Sequence, residues 1–341
     1  YLPVGVMKNN LINIESNSDI PKYKQIIQSI YFAIENRQLS LGDRIPSING
    51  IAQEFNLSRD TVLTAFNELR ARGIIASSPG KGYYVNSTEV EREQKIFLLF
   101  DELNAFKEKL YNAFTDAVQH KASVDTYFHY FNKRVFKNLI LENLTKYTTF
   151  VIMPVFFQDI RPIINQIGQA NIYLLDQLNP EIGNDYPAIY QNFQKDMLEA
   201  LESGLDRLQK YHPLVMVYPG GKEPRGMLEG FLQFCNQYNR EHEVIHTLEN
   251  REIKKGELYI VPNDLDLVTL VKESKRKHLE LGKDLGIISY NDTPLKEVVA
   301  DGITTISTDF EAMGKTLARM VLNKQKGHLE NPASLIIRKS I

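Results

Sequence analysis

The chain has 341 residues, 43% of them hydrophobic, and 40 Lys and Arg against 42 Asp and Glu give a formal net charge of −2. That length and apolar content suit a small domain joined to one large or two medium α/β units, and they exclude an intrinsically disordered chain. A single cysteine, Cys235, excludes an intrachain disulfide framework and points to a reducing compartment. No apolar run approaches the roughly 18 residues of a membrane span and no signal peptide is visible, so a cytoplasmic protein without a membrane partner is expected.

Residues 1–20 have little periodicity, and Met7 is expected to be the natural start. From Pro21 the spacing predicts a helix with Tyr23, Ile26, Ile27, Ile30, Tyr31 and Ile34 on one face, closed by Leu39 to Gly42. Pro46 and Ser47 then signal a short helix carrying Ile48, Ile51, Ala52 and Phe55. After a tight turn Ser58 can cap a further helix that buries Val62, Ala65, Phe66 and Leu69 and turns Arg59, Asp60, Leu63, Thr64 and Asn67 outward. Gly73 ends it, Ile74 and Ile75 begin a strand, residues 77–82 supply a flexible turn, and Tyr83 to Val85 return. The pattern is a helix-turn-helix with a wing. Residues 21–86 hold eight Lys and Arg against five Asp and Glu, so positive charge is local and modest.

Pro21 to Ile26, Gly42-Asp43-Arg44-Ile45-Pro46-Ser47, Ser58-Arg59-Asp60-Thr61-Val62, Gly73 and Gly80-Lys81-Gly82 resemble, in order and spacing, the winged-helix domain of the GntR family of bacterial transcription regulators. The resemblance implies an operator DNA partner, with the Ser58 helix in the major groove and the Gly80 wing on backbone or minor groove. It makes Arg44, Ser47, Asn49, Ser58, Arg59, Asp60, Thr61, Gly80 and Lys81 the candidate DNA-binding residues. The family often has Glu-Arg after the Pro-Ser and Arg after the Thr-Val; this chain has Ile48-Asn49 and Leu63 at those places.

Residues 87–95 are polar, charged and without an apolar stripe, which marks a linker. From residue 96 strands and helices alternate. Expected strands include Ile96 to Phe100, Phe150 to Met153, Ile172 to Leu175, Leu214 to Tyr218, Leu258 to Val261 and Leu285 to Tyr290, with helices between them. Such alternation implies parallel sheets, and its length implies two lobes whose ligand sits beyond the carboxyl ends of the strands.

The ending Leu285 to Thr293, Gly302 to Ile306, a helix from Phe310 to Leu322 and Ser334 to Arg338 resembles the effector-binding domain of the LacI family and of periplasmic sugar-binding proteins. Gly230-Phe231 and Pro262-Asn263-Asp264 fit the same template, and a reader joined to such a sensor is also the layout of the arabinose repressors of Gram-positive bacteria. The expected organisation is thus an α/β chain: an N-terminal segment (1–20), a winged helix-turn-helix domain (21–86), a linker (87–95) and a two-lobed periplasmic-binding-protein-like domain (96–341) with crossings near residues 187, 307 and 327. Carried over by motif, the candidate ligand-binding residues are Asp101, Glu102, Asp176, Arg225, Asn263, Asn291 and Asp292, with Asn104 nearby and aromatic faces such as Phe100, Phe156 or Phe157 beside them.

Catalytic and metal chemistry find no motif. The histidines never fall at a metal spacing, Gly220-Gly221-Lys222 lacks the full phosphate-loop form, and there is no Gly-x-Ser-x-Gly elbow. No metal, cofactor or catalytic residue is expected. The reading is a homodimeric, ligand-controlled transcription regulator, most simply sensing a sugar. The alternatives are a pyridoxal-phosphate aminotransferase-like enzyme fused to the same reader, and a regulator that senses a nucleobase or an amino acid.

Overall fold

The computed structural model describes residues 11–15, 18, 20–78, 80, 82–88, 94–119, 121–144, 146–168 and 171–341. They fall into two compact units, Tyr1–Glu93 and Gln94–Ile341.

In the first unit the apolar stripe of α1 (Lys22–Glu35) is buried at Ile26, Ile27, Ile30, Tyr31 and Ile34. Ile12, ahead of that helix, joins the same core. Helices α2 (Ile48–Glu54) and α3 (Arg59–Ala71) each begin on a serine. The Ser47 hydroxyl accepts from the Gly50 N–H at 3.0 Å and the Ser58 hydroxyl from the Thr61 N–H at 3.1 Å. Each cap satisfies a helix-end donor and contributes about 1 kcal/mol. Asn56, in the turn between them, has φ +51°, a left-handed conformation that asparagine tolerates. Gly73 leaves α3 at φ +71°, and β1 (Ile75–Ser78) pairs antiparallel with β2 (Gly82–Val85), Ile75 opposite Val85. Tyr83 of this wing meets Phe66 of α3 edge-on at 4.7 Å, which ties hairpin to helix.

The second unit has two lobes. The first is built from β3 (Gln94–Phe100), α4 (Ala105–Val118), β4 (Ala122–Phe128), α5 (Lys133–Leu141), β5 (Thr149–Ile152), α6 (Arg161–Ile164), β6 (Asn171–Asp176) and β7 (Ala188–Tyr190). The chain then passes to the second lobe, α7 (Phe193–Ser203), α8 (Leu205–Leu208), β8 (Leu214–Val217), α9 (Arg225–Gln237), β9 (His242–Ile245), β10 (Leu258–Val261), α10 (Asp264–Arg276), β11 (Gly286–Tyr290), α11 (Pro294–Val298) and β12 (Thr304–Thr308). It returns to the first lobe for α12 (Phe310–Leu322) and β13 (His328–Glu330), and ends in the second with β14 (Ala333–Ile336).

Each lobe holds one six-stranded sheet, in the orders β13-β7-β6-β5-β3-β4 and β14-β12-β11-β10-β8-β9. Every pairing is parallel except β12 with β14. The apolar runs of these strands follow from burial on both faces. In β3, Ile96, Leu98 and Phe100 join the core under α4 and α12, whereas Phe97 and Leu99 join the core under α5 and α6. Leu214 and Met216 of β8 likewise face one core and Val215 and Val217 the other.

The chain crosses between lobes at residues 191–192, 309 and 331–332, in each case a few residues beyond Pro187, Ser307 and Gly327. The crossings are bonded together. Asn331 donates to the Thr308 hydroxyl at 2.6 Å, Asn192 to Glu330 at 3.3 Å, and the Ala333 N–H donates to Asp196 at 2.9 Å.

Because α12 must return to cover α4, their contact is close. A methyl group on Gly314 would meet the Leu110 carbonyl oxygen and stand 3.0 Å from the Ala113 Cβ. Gly314→Ala is expected to destabilise the second unit by roughly 1–3 kcal/mol through overpacking. A urea titration followed by circular dichroism checks this, and an unchanged midpoint would contradict so tight a helix pair.

Candidate functional site

In the first unit the exposed surface gathers at the start of α3 and along the wing. Arg59 and Asp60 occupy the first turn of α3, exposed, with Thr64 and Asn67 on the same face. Ser47, Ser58 and Thr61 are committed to structure: the two serines cap helices, and the hydroxyls of Ser58 and Thr61 lie 2.7 Å apart. Their hydroxyls therefore fix where the neighbouring side chains point. Arg44 and Asn49 are exposed, and Arg44 pairs by backbone with Tyr84 and runs beside Gly82, so it belongs to the wing surface. Gly80 turns the hairpin at φ +74°. Lys81 lies outside the described residues, as do residues 89–93 of the expected linker.

In the second unit the carboxyl ends of the strands in both sheets open on a cleft of about 330 Å³. Asp101, at the end of β3, is 3% exposed and forms a buried ion pair with Lys107 on α4. Asp176 ends β6 at φ +71° and is 6% exposed, and its carboxylate accepts from the Gln191 amide at 2.5 Å. Burial raises its carboxyl above the ordinary value, against the opposing pull of Lys107. Asn291 follows β11 at φ +60°, another left-handed residue at a strand end, and its side-chain oxygen is buried without a partner among the described residues. Asparagine and aspartate adopt such φ more readily than other non-glycine residues.

Asn263 lines the cleft, but its amide caps α10, accepting from the Asp266 N–H at 2.9 Å, and Asn104 caps α4 in the same way. Glu102 pairs with Lys222 at 2.8 Å, and Lys222 also lies over the Phe131 ring at 4.7 Å. Glu102 and Phe131 belong to the first lobe and Lys222 to the second, so this contact bridges the cleft mouth.

Two of the residues expected on ligand lie elsewhere. Arg225 is the first residue of α9, its side chain 84% exposed and paired with Glu229, and it does not line the cleft. Asp292 turns away from the cleft. Arg338 grips its two oxygens at 2.6 and 3.0 Å, and the Thr305 hydroxyl donates to it at 2.9 Å. Burial would raise the Asp292 carboxyl, but Arg338 and Thr305 overcome it and hold it low. The expected aromatic faces also change. Phe100 is fully buried in the core, Phe157 packs on the other core of that lobe, and Phe156 is exposed. The rings on the cleft are instead Phe106, Phe131, Phe193 and Tyr290.

Sequence reasoning did not single out Lys107, Gln177, Gln191 or Lys296 as cleft residues. Each follows a strand end, yet nothing local marks a lysine or glutamine there as buried. Lys296 donates to the Tyr290 and Asn291 carbonyls at 2.9 and 2.8 Å and pairs with Asp264 at 3.1 Å, so it locks the turn that presents Asn291. Burial depresses its ammonium, Asp264 opposing. Lys107→Met would leave Asp101 without its counter-ion, and loss of one partner of a buried pair costs about 3–5 kcal/mol. The expected result is a large fall in the unfolding midpoint; stability within 1 kcal/mol of wild type, roughly a single exposed pair, would contradict the burial of this pair.

A model of bacterial regulatory proteins of the gntR family matches residues 22–85, and a periplasmic binding protein-like domain matches residues 209–341. The uncharacterised helix-turn-helix transcriptional regulator YdfD of Bacillus subtilis is 42% identical over 66 residues, 19% of this chain and only 14% of that protein. The chain thus spans a small part of that relative. The transcriptional repressor YtrA of the same organism is 30% identical over 115 residues, 34% of this chain and 83% of the repressor. Among solved structures, the lac repressor dimer bound to operator and the anti-inducer ONPF is similar with a TM-score of 0.61 at 18% identity, over 73% of this chain and 94% of that one. A periplasmic binding protein/LacI transcriptional regulator of Alkaliphilus metalliredigens, complexed with D-xylulofuranose, is similar with a TM-score of 0.58 at 13% identity, over 72% and 98%. These likenesses give the second unit its fold and leave the aminotransferase-like alternative without support. The winged reader, the match at residues 22–85 and the coverage of YtrA together place the chain in the gntR family of bacterial regulatory proteins.

Proposed function

We propose that the protein is a transcription regulator that binds operator DNA through its first unit and is controlled by a small polyhydroxylated molecule, a sugar, held in the cleft of its second unit. The observation that carries this reading is the presence in one chain of a gntR reader and a two-lobed cleft lined by buried polar atoms without partners among the described residues, those of Gln177, Gln191, Tyr290 and Asn291. Hydroxyls suit such a lining, with aromatic rings beside them. The role is one of binding and control in the cytoplasm, without a catalytic step, and the working form is a homodimer. Its two readers would address half-sites about one helical turn, roughly 10 base pairs, apart.

The cleft controls the reader if its ligand prefers one lobe arrangement and that arrangement changes how paired readers meet DNA. Crossings at three bonded strands of chain suit a hinge, because the lobes can rotate while each sheet keeps its pairing. Coupling of this kind is typically about 1–3 kcal/mol, or roughly 5- to 150-fold in DNA affinity. The effector is found by thermal-shift screening against sugars, nucleobases and amino acids. Stabilisation by a nucleobase or amino acid alone would replace the sugar.

Arg59 can bond a guanine edge or a phosphate from the first turn of α3. Arg59→Ala is expected to weaken operator binding by about 1–3 kcal/mol in fluorescence anisotropy at fixed salt. Loss of Arg44 should instead lower affinity for all sequences alike and reduce the salt slope. Equal affinity for wild type and Arg59→Ala would remove Arg59 from the interface. In the cleft, Asn291→Gly keeps the left-handed backbone while deleting the amide. It should abolish the response of operator binding to the effector and leave binding without effector near normal; an unchanged response at the same effector concentration would sink the role given to Asn291.

A further inference from the structure

The charges of the cleft do not balance. Five carboxylates line it, Asp101, Glu102, Asp176, Glu223 and Asp264, against the three lysines Lys107, Lys222 and Lys296. Each lysine is committed: Lys107 to Asp101, Lys222 to Glu102 at 2.8 Å and Lys296 to Asp264 at 3.1 Å. Asp176 and Glu223 remain outside any ion pair among the described residues, although Lys107, bonded to Asp101, also acts on Asp176 from a distance. Asp176, 6% exposed, takes its side-chain hydrogen bond from the Gln191 amide, and Glu223 has a carboxylate oxygen that is buried without a partner among the described residues.

The unpartnered amides point the same way. Gln191 spends its N–H on the Asp176 carboxylate, which leaves its carbonyl oxygen free as an acceptor. The side-chain oxygens of Gln177 and Asn291 are buried without a partner too. Gln177 and Gln191 are 7% and 6% exposed and both line the cleft, so their oxygens are acceptors held inside it. A lining that offers acceptors, two of them carboxylates outside any ion pair, selects a ligand rich in donors and positive in charge.

We propose that the ligand of this cleft carries a protonated amine beside its hydroxyls and no phosphate, an amino sugar rather than a neutral sugar or a sugar phosphate. The inference rests on the sugar reading above and narrows it. Asp176 ends a strand of the first lobe and Glu223 lies in the turn before α9 of the second, so an ammonium between them would give both carboxylates a partner only when the lobes are together. The amine would thereby join recognition to closure. Burial already raises the Asp176 carboxyl, so the charged form needs a cation supplied with the ligand. A phosphate would add two negative charges beside Asp176 and Glu223, with all three lysines already engaged.

The experiment is isothermal titration calorimetry on the full chain with matched probes: aldohexoses and aldopentoses, their 2-amino-2-deoxy counterparts, and their phosphate esters. At least one amino sugar should bind about 10-fold or more tighter than its neutral partner, and the phosphate esters should bind weakest. Asp176→Asn should bring the amine and neutral affinities together, and Glu223→Gln, on the other lobe, should do the same if the first variant folds poorly. Neutral sugars binding as tightly as their amino counterparts, or a phosphate ester binding best, would overturn the amine assignment and leave the sugar reading standing. Preference for the amine that survives in both variants would overturn the roles of Asp176 and Glu223. If no probe binds, the sugar reading and this inference fall together.

Discussion

The second unit depends on parallel strand pairing. When neighbouring strands all run one way, their carboxyl ends leave the sheet on the same edge, and the loops that follow must gather there. Asp101 after β3, Asp176 at the end of β6, Gln191 after β7, Lys222 and Glu223 after β8, Asn263 after β10 and Asn291 after β11 are brought together for that reason. With two such sheets facing each other, a cleft forms between the two edges. The three crossings complete it by making each lobe depend on residues from distant parts of the chain, as when α12 returns to pack on α4.

Within the cleft the dominant electrostatic feature is that buried lysines hold carboxylates in place. Lys107 reaches from α4 to Asp101 and also faces Asp176, and Lys296 reaches from α11 to the backbone that presents Asn291. A buried ammonium is unfavourable unless it is paired and hydrogen-bonded; Lys107 is paired with Asp101, and Lys296 is paired with Asp264 and donates to two carbonyls. These contacts fix geometry more than they add stability. They leave Asp176, Glu223 and several amide oxygens facing the cleft, which is the arrangement expected of a preformed site for a polar ligand.

The reader works by a different economy of polar groups. Ser47, Ser58 and Thr61 place their hydroxyls at helix ends, and the exposed side chains beside them are Arg59, Asp60 and Asn49, with Arg44 on the wing. Capping is a local rule and was legible at once from Pro46-Ser47 and Leu57-Ser58. The wing was equally plain, since Gly73 and the turn at Gly80 need left-handed φ values that glycine adopts freely.

The amino-acid sequence by itself determined the elements, the winged reader, the parallel two-lobed class and the strand-end positions of Asp101, Asp176, Asn263 and Asn291, because caps, apolar runs and turns are set by interactions within a few residues. What each strand-end side chain does was decided only by tertiary structure. Asp292 and Arg225 look like cleft residues in sequence, but Arg338, 46 positions away, draws the first out of the cleft, and Glu229 one turn further along α9 pairs the second in solvent. Lys107, Gln177, Gln191 and Lys296 look like ordinary helix or loop residues, and they face the cleft because the strand ends gather there: Gln191 meets Asp176 of the neighbouring strand, and Lys296 meets Asp264 of α10. Local preference fixes where a side chain begins; only the partners brought by distant segments fix whether its charge is buried, paired or left for a ligand.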